Sequence, residues 1–271
     1  VISPVAIMVT QTQRPITTAA ESIQRATTFL LKEQHKNGSW AGASGKYPLL
    51  YTALVLSALD NTQLAHFKHK ALYYLQGNTA DNNDALSRKI NVLSRYGVYS
   101  DSQINKLVAA GDYRQSGSQI TDAGWGAYPG FKYSAYETAL ALQAILQFKS
   151  TEKSSHYKRL AQYSPLLLNL RSEWQWQRDY YFDRSTSVYV SALAYKISSN
   201  TSIYSWLVQN SDGSFGEGIT DTAAVLLYLD LNTDAQQQAI HYLLSQQLPD
   251  GSFLGISNTA LTLKALREAQ L

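Results

Sequence analysis

Five segments of the chain repeat one apolar pattern, and a weaker sixth copy completes the set. They begin at Tyr51, Asn83, Glu137, Tyr189, Asp221 and Asn258, and the weaker copy is the one at Asn83. Each carries an alanine at the same place, and from Ala53 to Ala260 the intervals average about 41 residues, the length of a helical hairpin in repeat proteins. A helix that is apolar on nearly all sides has to be buried, so the segments predict an inner layer of helices.

The segments that precede these copies are amphipathic instead. In the first of them, Ile23, Leu30 and Leu31 recur at helical spacing, while charged residues such as Arg25 and Lys32 interrupt them. One apolar stripe is typical of a helix that is half exposed. Two such layers predict an all-α fold, an (α/α)6 toroid of about six helical hairpins with inner and outer rings. An open solenoid of the same hairpins is the alternative, and the apolar inner layer favours closure.

Three turns have nearly the same sequence. They read FLLKEQHKNGSW (29–40), WLVQNSDGSFG (206–216) and YLLSQQLPDGSF (242–253). In each, glutamine precedes Asn-Gly or Asp-Gly, and serine and an aromatic residue follow. The glycine allows positive φ at a helix end, and the aromatic ring can fold back on the helices. Each turn is therefore predicted to end a helix and to bury a ring.

These turns resemble the QW repeats of squalene and terpenoid cyclases, in which an aromatic and an aliphatic residue precede glutamine, glycine and tryptophan. The stretch GWGAYPGFKYSAYETALALQAI (124–145) resembles the repeats of bacterial surface proteins in the same superfamily. That superfamily also includes prenyltransferase β subunits and the thioester domains of α2-macroglobulin and complement proteins. The resemblance covers roughly residues 20–271 and implies an α/α toroid, a fold that hosts catalysts and binding domains alike.

The known chemistries of the superfamily require residues that this chain lacks. Class II cyclases protonate an alkene with an Asp-x-Asp-Asp motif, and the nearest run here, 81–84, reads Asp-Asn-Asn-Asp. Its last acid, Asp84, could simply cap the helix that follows. The chain has no cysteine, so it has neither the zinc ligand of the protein prenyltransferases nor the thioester cysteine of the complement domains. We expect no cofactor and no metal.

The N-termini of the inner helices form the predicted functional face. In an α/α toroid these helices run parallel, so their first residues surround one opening. The acids at that position, Asp84, Glu137 and Asp221, are the candidate catalytic residues, because carboxyl groups brought together raise one another's pKa. They could equally be helix caps, since carboxylates and hydroxyls are favoured at helix N-termini.

Aromatic residues crowd two loops that lead into inner helices. At the rim of a cavity such rings would stack on a carbohydrate, stabilise a cation or line an apolar pocket. The alternative is that they are buried rings of degenerate repeats. The candidate ligand-binding residues of the loops and the rim are Tyr51, Trp125, Tyr128, Tyr136, Trp174, Trp176, Tyr181, Tyr189 and Asn258.

Charge and composition restrict the possible partners. The 23 basic and 20 acidic residues nearly cancel and form no basic stripe, which argues against nucleic acid. Charged residues make up only 16% of the chain, a bias that favours an extracytoplasmic location, secreted or on the cell surface. Residues 1–16 are expected to be an extended segment or linker, and residues 17–271 a toroid domain without a membrane span. We expect a monomeric domain of a larger protein.

The sequence therefore predicts a recognition domain that binds a ligand or a protein at the face carrying the inner-helix N-termini. The first alternative is a cyclase-like or lyase-like enzyme that uses carboxylates in the central cavity. The second is a thioester-less relative of the α2-macroglobulin and complement domains. A deep, closed, aromatic-lined chamber with one acid shielded from water would favour the enzyme, and a shallow or filled centre would favour binding.

Overall fold

Two concentric layers of helices build the fold. The computed structural model describes residues 18–42, 45–59, 64–98, 100–131, 133–149, 188–199 and 201–270. In chain order its elements are α1 (Ala19–Lys32), α2 (Pro48–Ala58), α3 (Ala65–Gly77), α4 (Asn83–Arg95), α5 (Asp101–Ala109), β1 (Asp112–Ser116), β2 (Gln119–Gly124), α6 (Ala135–Lys149), α7 (Val188–Ser198), a 3-10 helix (Thr201–Ser205), α8 (Ile219–Tyr228), α9 (Thr233–Ser245) and α10 (Ile256–Glu268).

The inner helices form a closed ring. Helix α2 packs against α4, α4 against α6, α6 against α7, α7 against α8, α8 against α10, and α10 packs back against α2. Helices α1, α3, α5 and α9 lie outside this ring, on α10, α2, α4 and α8 respectively. The predicted toroid is therefore confirmed, and an open solenoid is excluded. The outer helix expected for the fourth hairpin falls on residues outside the described ranges.

The burial of each layer follows from its sequence pattern. On the inner helix α8, the consecutive residues Ala223, Ala224 and Val225 are all buried, so this helix has neighbours on several sides. Outer α1 buries only Ser22, Ala26 and Leu30, which lie four residues apart on one stripe. None of the helices in the described ranges is long and apolar enough to cross a bilayer.

A threonine near the start of four inner helices fixes the loop before it. The backbone N–H of a buried aromatic residue donates to the threonine Oγ1 at 2.8–3.0 Å in each case. The pairs are Trp40 with Thr52, Trp125 with Thr138, Phe215 with Thr222, and Phe253 with Thr259. Because a buried N–H needs a partner, this contact explains why threonine precedes the aligned alanine in four copies.

The three similar turns join neighbouring outer helices. In each, the glutamine Nε2 donates to the carbonyl of the turn's own glycine and to a carbonyl on the next outer helix, at 2.9–3.0 Å. The far carbonyls belong to Phe67, Ala235 and Ser22. Since Ser22 lies on α1, the turn that contains Gln247 joins the last hairpin to the first and closes the outer ring.

The structure contains an antiparallel hairpin, β1–β2, that was not predicted from the sequence. It lies between α5 and α6, pairs Asp112 with Gly124 at its open end, and has an irregular register between Arg114 and Gln115. The hairpin occupies part of the long interval between Ala85 and Ala139, where the repeat spacing exceeds that of a simple helix pair. The all-α assignment is correct for the core and incomplete for this insertion.

Candidate functional site

The ring encloses a central cavity of about 840 Å³ that opens at the N-terminal ends of the inner helices. The predicted residues that line it are Tyr51 on α2, Tyr136 and Glu137 on α6, Tyr189 on α7, Asp221 on α8 and Asn258 on α10. Helix α4 contributes Arg88, which was not among the residues predicted from the sequence. Five inner helices therefore place their first turn around one opening. In the part of the chain that the structure describes, no group of three or more His, Cys, Asp or Glu side chains could hold a metal ion.

Asp84, Arg88 and Tyr136 form a hydrogen-bonded triad between α4 and α6. Arg88 Nε donates to Asp84 Oδ1 at 2.5 Å, and Arg88 Nη2 donates to the Tyr136 hydroxyl at 2.6 Å. That hydroxyl donates to Asp84 Oδ2 at 3.0 Å. Burial alone would lower the pKa of Arg88, but Asp84 and Tyr136 raise it well above its usual value, so the guanidinium stays charged. Burial also raises the pKa of Tyr136, which keeps its proton for Asp84.

Asp84 is therefore the ion-pair partner of Arg88 and not the cap of its helix, and Asp84 itself does not line the cavity. The cap of α4 is Asn82, whose Oδ1 accepts a hydrogen bond from the backbone N–H of Ala85 at 2.8 Å. The capping interpretation of Asp84 is thus wrong. The side chain instead fixes the position of Arg88, the cation that faces the cavity.

Glu137 is a partly buried acid in the wall of the central cavity. Its Oε2 is buried, and no described residue gives it a hydrogen bond. Burial, followed by the nearby charge of Asp84, raises the pKa of Glu137. A carboxyl group in this state keeps its proton at a higher pH than a free glutamate, so it can donate to a bound group as well as accept from one.

Asp221 supports the rim through its backbone contacts. Its Oδ1 accepts from the N–H of Tyr189 at 3.1 Å, and its Oδ2 accepts from the N–H of Glu217 at 2.9 Å. One carboxylate thus stabilises the first turn of α7 and the loop before α8. This arrangement agrees with the capping alternative for Asp221, although the residue also lines the cavity. Asn258 Oδ1 accepts from the Thr220 hydroxyl at 2.9 Å and joins α10 to α8 at the rim.

The loop aromatics divide into two groups. Trp125 is 0% exposed and donates from Nε1 to the Leu107 carbonyl at 2.8 Å, so it is a buried repeat ring and the structure does not bring it to the cavity. Tyr128 is 41% exposed and packs on Phe131, with ring centroids 5.3 Å apart, outside the described cavity wall. Trp174, Trp176 and Tyr181 lie outside the residues that the structure describes.

A smaller chamber of about 40 Å³ continues the axis of the ring beyond the cavity. Leu54, Arg88, Tyr189 and Leu261 line both spaces and form the neck between them. Deeper polar side chains complete the chamber: Ser57, Ser87, Asn91, Arg95, Gln143 and Lys264. Along the axis of the ring, the opening of the cavity, or rim, is acidic, and the smaller chamber, or floor, is basic.

The floor carries cations and amide or hydroxyl groups: Ser87 and Asn91 are buried, Lys264 is half-buried and Arg95 is exposed. Burial, followed by the charge of Arg95, lowers the pKa of Lys264 to about 8. Burial raises the pKa of Tyr228, another lining residue, so its hydroxyl stays neutral. Asn91 Nδ2 and Ser87 Oγ are buried, and neither has a hydrogen-bond partner among the described residues.

Arg88, Asn91 and Lys264 were not predicted from the sequence, although it carries a signal for two of them. On α4, the polar residues Asp84, Arg88, Asn91 and Arg95 recur at steps of four, three and four residues, which places them on one face. A polar stripe on a helix that is otherwise buried must face an internal polar space. This stripe is also the reason why the copy at Asn83 is the weakest match to the apolar repeat.

Comparison with solved structures relates the fold to two groups of enzymes. The ligand-free type II terpene cyclase MstE from Scytonema is similar with a TM-score of 0.62 at 14% identity, covering 94% of this chain and 99% of that chain. A variant of that cyclase in complex with geranylgeranyl dihydroxybenzoate gives 0.62 at 15% identity, covering 93% and 97%. The GH76A alpha-1,6-mannanase from Salegentibacter sp. HEL1_6 gives 0.60 at 10% identity, covering 93% and 99%.

The similarity shows the architecture alone. No protein-family model matches the sequence, and no curated protein matches it. Identities of 10–15% leave the side chains of a site free to differ, since one fold hosts many chemistries. This chain has the α/α-toroid fold that the type II terpene cyclase and the GH76 mannanase structures share.

Proposed function

We propose that the protein is a recognition domain that binds a small, hydroxyl-bearing organic ligand in the central cavity. The observation that carries this proposal is the cavity of about 840 Å³ at the N-termini of the inner helices. Small-molecule sites are typically clefts of about 300–1,000 Å³ with apolar walls and a few convergent polar groups. Here Leu50, Leu54 and Ile219 supply apolar wall, and the rim residues supply the polar groups.

The rim favours a neutral group with hydroxyls. Tyr51 and Tyr189 offer aromatic rings and hydroxyls, and Glu137 offers an oxygen that no described side chain or backbone group occupies. A ligand hydroxyl both donates and accepts, so it can pair with Glu137 in either protonation state. An anion at this position would be repelled by Glu137, Glu217 and Asp221, which all line the opening. Sugars, polyols and hydroxylated rings meet these requirements.

A thermal-shift screen of mono- and oligosaccharides, polyols and hydroxylated aromatic compounds tests this proposal, with calorimetry on each hit. Asn258→Trp would fill the opening from the rim, and Tyr73→Trp is the matched control, because Tyr73 is 73% exposed on outer helix α3. We expect hits whose affinity falls at least about tenfold in Asn258→Trp and is unchanged in Tyr73→Trp. A screen without hits, or hits that Asn258→Trp does not weaken, would contradict cavity binding.

Acid catalysis in the same cavity is a second candidate, and Glu137 is the observation that favours it. Its raised pKa and unoccupied Oε2, beside the Asp84–Arg88 ion pair, place a proton donor next to a fixed anion and cation. A general acid is most effective when its pKa lies near the working pH. The incomplete Asp-x-Asp-Asp run gives this candidate second place.

The catalytic candidate is tested with the compounds that the structural neighbours are named for. The protein would be incubated with α-1,6-mannan and, separately, with geranylgeranyl dihydroxybenzoate, and the products followed by mass spectrometry. Turnover that Glu137→Gln reduces by about 10²-fold or more, with binding retained, would support acid catalysis. Binding of either compound without turnover would leave the recognition function in first place.

The proposed location is extracytoplasmic, and it has compositional support only. Neutral polar residues take the place of charges. Fractionation of cells that express the full-length product, with detection by an antibody against this domain, tests the location. Recovery in the cytosolic fraction alone would contradict it.

A further inference from the structure

The floor of the ring differs in charge from its rim. Lys264 on α10 and Arg95 on α4 line the small chamber, and Arg88 lines the neck above it. None of the acids at the rim lines this chamber as the structure describes it. The described acid that acts on Lys264 is Glu268, one turn further along the same helix, while Lys196 on α7 adds another positive charge. The chamber is therefore cationic.

Two buried polar side chains line the same space without a partner. Asn91 is 7% exposed and Ser87 is 1% exposed. The Asn91 Nδ2 and Ser87 Oγ atoms have no hydrogen bond to any residue in the described part of the chain. A buried polar atom without a partner costs about 1–3 kcal/mol, so such atoms normally have a water or a ligand against them. Donors in a cationic chamber match an acceptor that carries negative charge.

The volume limits what that acceptor can be. A buried water needs about 10–15 Å³, so a chamber of about 40 Å³ holds roughly three water-sized groups. A carboxylate has three heavy atoms in one plane and fits this volume. A small oxyanion such as a carboxylate therefore fits the chamber.

We propose that the chamber binds a carboxylate group, held by the Lys264 ammonium, the Arg95 guanidinium, the Asn91 amide and the Ser87 hydroxyl. The neck favours a carboxylate on an apolar stem, because Leu54 and Leu261 are two of the four side chains that line it. A ligand of this class would extend from the hydroxyl-binding rim through the neck to the floor. The inference rests on the proposed function for the rest of the ligand, but not for the carboxylate itself.

The charge of the site depends on pH through Lys264. Its pKa of about 8 rests on burial and on the neighbouring cations Arg95, Lys196 and Arg88, opposed by Glu268. Arg88 stays charged, because Asp84 and Tyr136 raise its pKa well above the usual value. The hydroxyl of Tyr228 on α8 stays neutral, because burial raises its pKa. An unliganded site therefore loses one positive charge as the pH rises through about 8, and carboxylate affinity should fall over that interval.

Calorimetry and thermal shift with sodium hexanoate test the proposal on the whole protein. Hexanamide has the same stem without the charge, and sodium chloride at equal concentration controls for ionic strength. Lys264→Met removes the central cation, and Lys70→Met is its matched control, because Lys70 is exposed on outer helix α3. We expect hexanoate to bind, with affinity reduced about 10-fold or more in Lys264→Met, unchanged in Lys70→Met, and lower at pH 9.5 than at pH 7.

Sodium acetate separates the two possible sources of the carboxylate. Tighter binding of hexanoate than of acetate would assign the group to a larger ligand with a stem, and equal binding would assign it to a free small acid. Stabilisation by hexanamide or chloride equal to that by hexanoate would overturn the proposal, as would hexanoate binding that Lys264→Met leaves unchanged. Hydroxylated hits that bind while hexanoate does not would overturn the carboxylate site and leave the proposed function intact.

Discussion

The turns on the outside of the ring and the polar stripe along its axis use similar side chains in opposite ways. In the turns, the amide N–H groups of Gln34, Gln209 and Gln247 are all engaged by carbonyls of the turn and of the next outer helix. On the axis, Asn91 Nδ2 and Glu137 Oε2 lack any such partner among the described residues. Both regions are largely buried, so depth alone does not separate them.

For side-chain N–H groups, the difference indicates which of them maintain the fold and which remain for a ligand; the acceptor atom Gln247 Oε1 in the last turn also has no partner among the described residues. A paired amide in a buried turn contributes about 1 kcal/mol, and more if its loss leaves two carbonyls unpaired. An unpaired group on the axis opposes folding by a similar amount until something binds it. Mutations in the turns should therefore reduce stability, and neutral or apolar replacements on the axis should increase it while they impair binding.

The largest effect is expected for Gly251→Ala, in the turn that closes the ring. Gly251 has φ +90°, and a Cβ there would lie 2.6 Å from the Arg25 carbonyl oxygen on α1. Positive φ is unfavourable for alanine, and the backbone of α1 cannot move away without opening the ring. We expect a loss of about 3 kcal/mol or more in the free energy of unfolding, measured with urea.

Gly97→Ala is the matched control for this substitution. Gly97 also has positive φ, +71°, but no described atom lies within 4 Å of the position that its Cβ would take. Its loss should be about 1 kcal/mol, the effect of backbone conformation alone. Equal losses for the two variants would show that the close approach to α1 does not contribute.

Gln247→Ala tests the hydrogen bonds of the same turn. It removes the donor to the Ser22 carbonyl on α1 and to the Gly251 carbonyl. We expect a loss of about 2 kcal/mol, with faster amide exchange in α1 by hydrogen–deuterium exchange mass spectrometry. Gln246→Ala, one residue earlier, should change stability by less than about 0.5 kcal/mol, because Gln246 Nε2 bonds the exposed Ser245 hydroxyl. Unchanged exchange in α1 would count against a role of Gln247 in closure.

The repeat allowed the fold to be predicted, because the spacing of apolar residues along the chain shows which helices are buried. The aligned alanines from Ala53 to Ala260 are all buried, and each lies on an inner helix. The β1–β2 hairpin was not predicted from the sequence, because the stretch 112–124 is short and polar and has no alternating apolar pattern. Local pairing and the fixed position of the following Trp125 define it instead.

The rim of the site was predictable for the same reason, and its floor was predictable only in part. Glu137, Asp221 and Asn258 occupy one column of the aligned repeats, so parallel helices bring them together. Lys264 lies two turns deeper on α10, and its neighbours Arg95 and Asn91 come from α4 on the other side of α2. Which residues meet at that depth depends on how the ring closes, and no interval in the sequence encodes it.

Lys264→Met should stabilise the protein. The pKa of Lys264 is about 8 in the folded state against 10.5 unfolded, so the folded state binds this proton more weakly. The ammonium therefore opposes folding fully below pH 8, and the penalty disappears as the pH rises to 10.5. We expect Lys264→Met to gain about 1–3 kcal/mol at pH 7, with a gain that shrinks above pH 8. Lys70→Met should show neither the gain in stability at pH 7 nor its decrease above pH 8. A gain in stability that does not depend on pH would indicate that Lys264→Met improves packing and does not act by removing the charge.

The smallest effect, and the sharpest test of the axis, is expected for Glu137→Gln. Burial and Asp84 raise the pKa of Glu137 above 4.5, so its ionised form opposes folding. That penalty is absent below pH 4.5 and grows as the pH rises through the raised pKa. The variant should therefore match the wild type at pH 4 and exceed its free energy of unfolding by about 1 kcal/mol or less at pH 7, measured by urea unfolding at both pH values.

The N-terminus of α6 acts in the opposite direction, because a helix dipole stabilises an anion there by about 0.3–1 kcal/mol. A variant less stable than the wild type at pH 7 would mean that the dipole dominates and that Glu137 is a structural carboxylate.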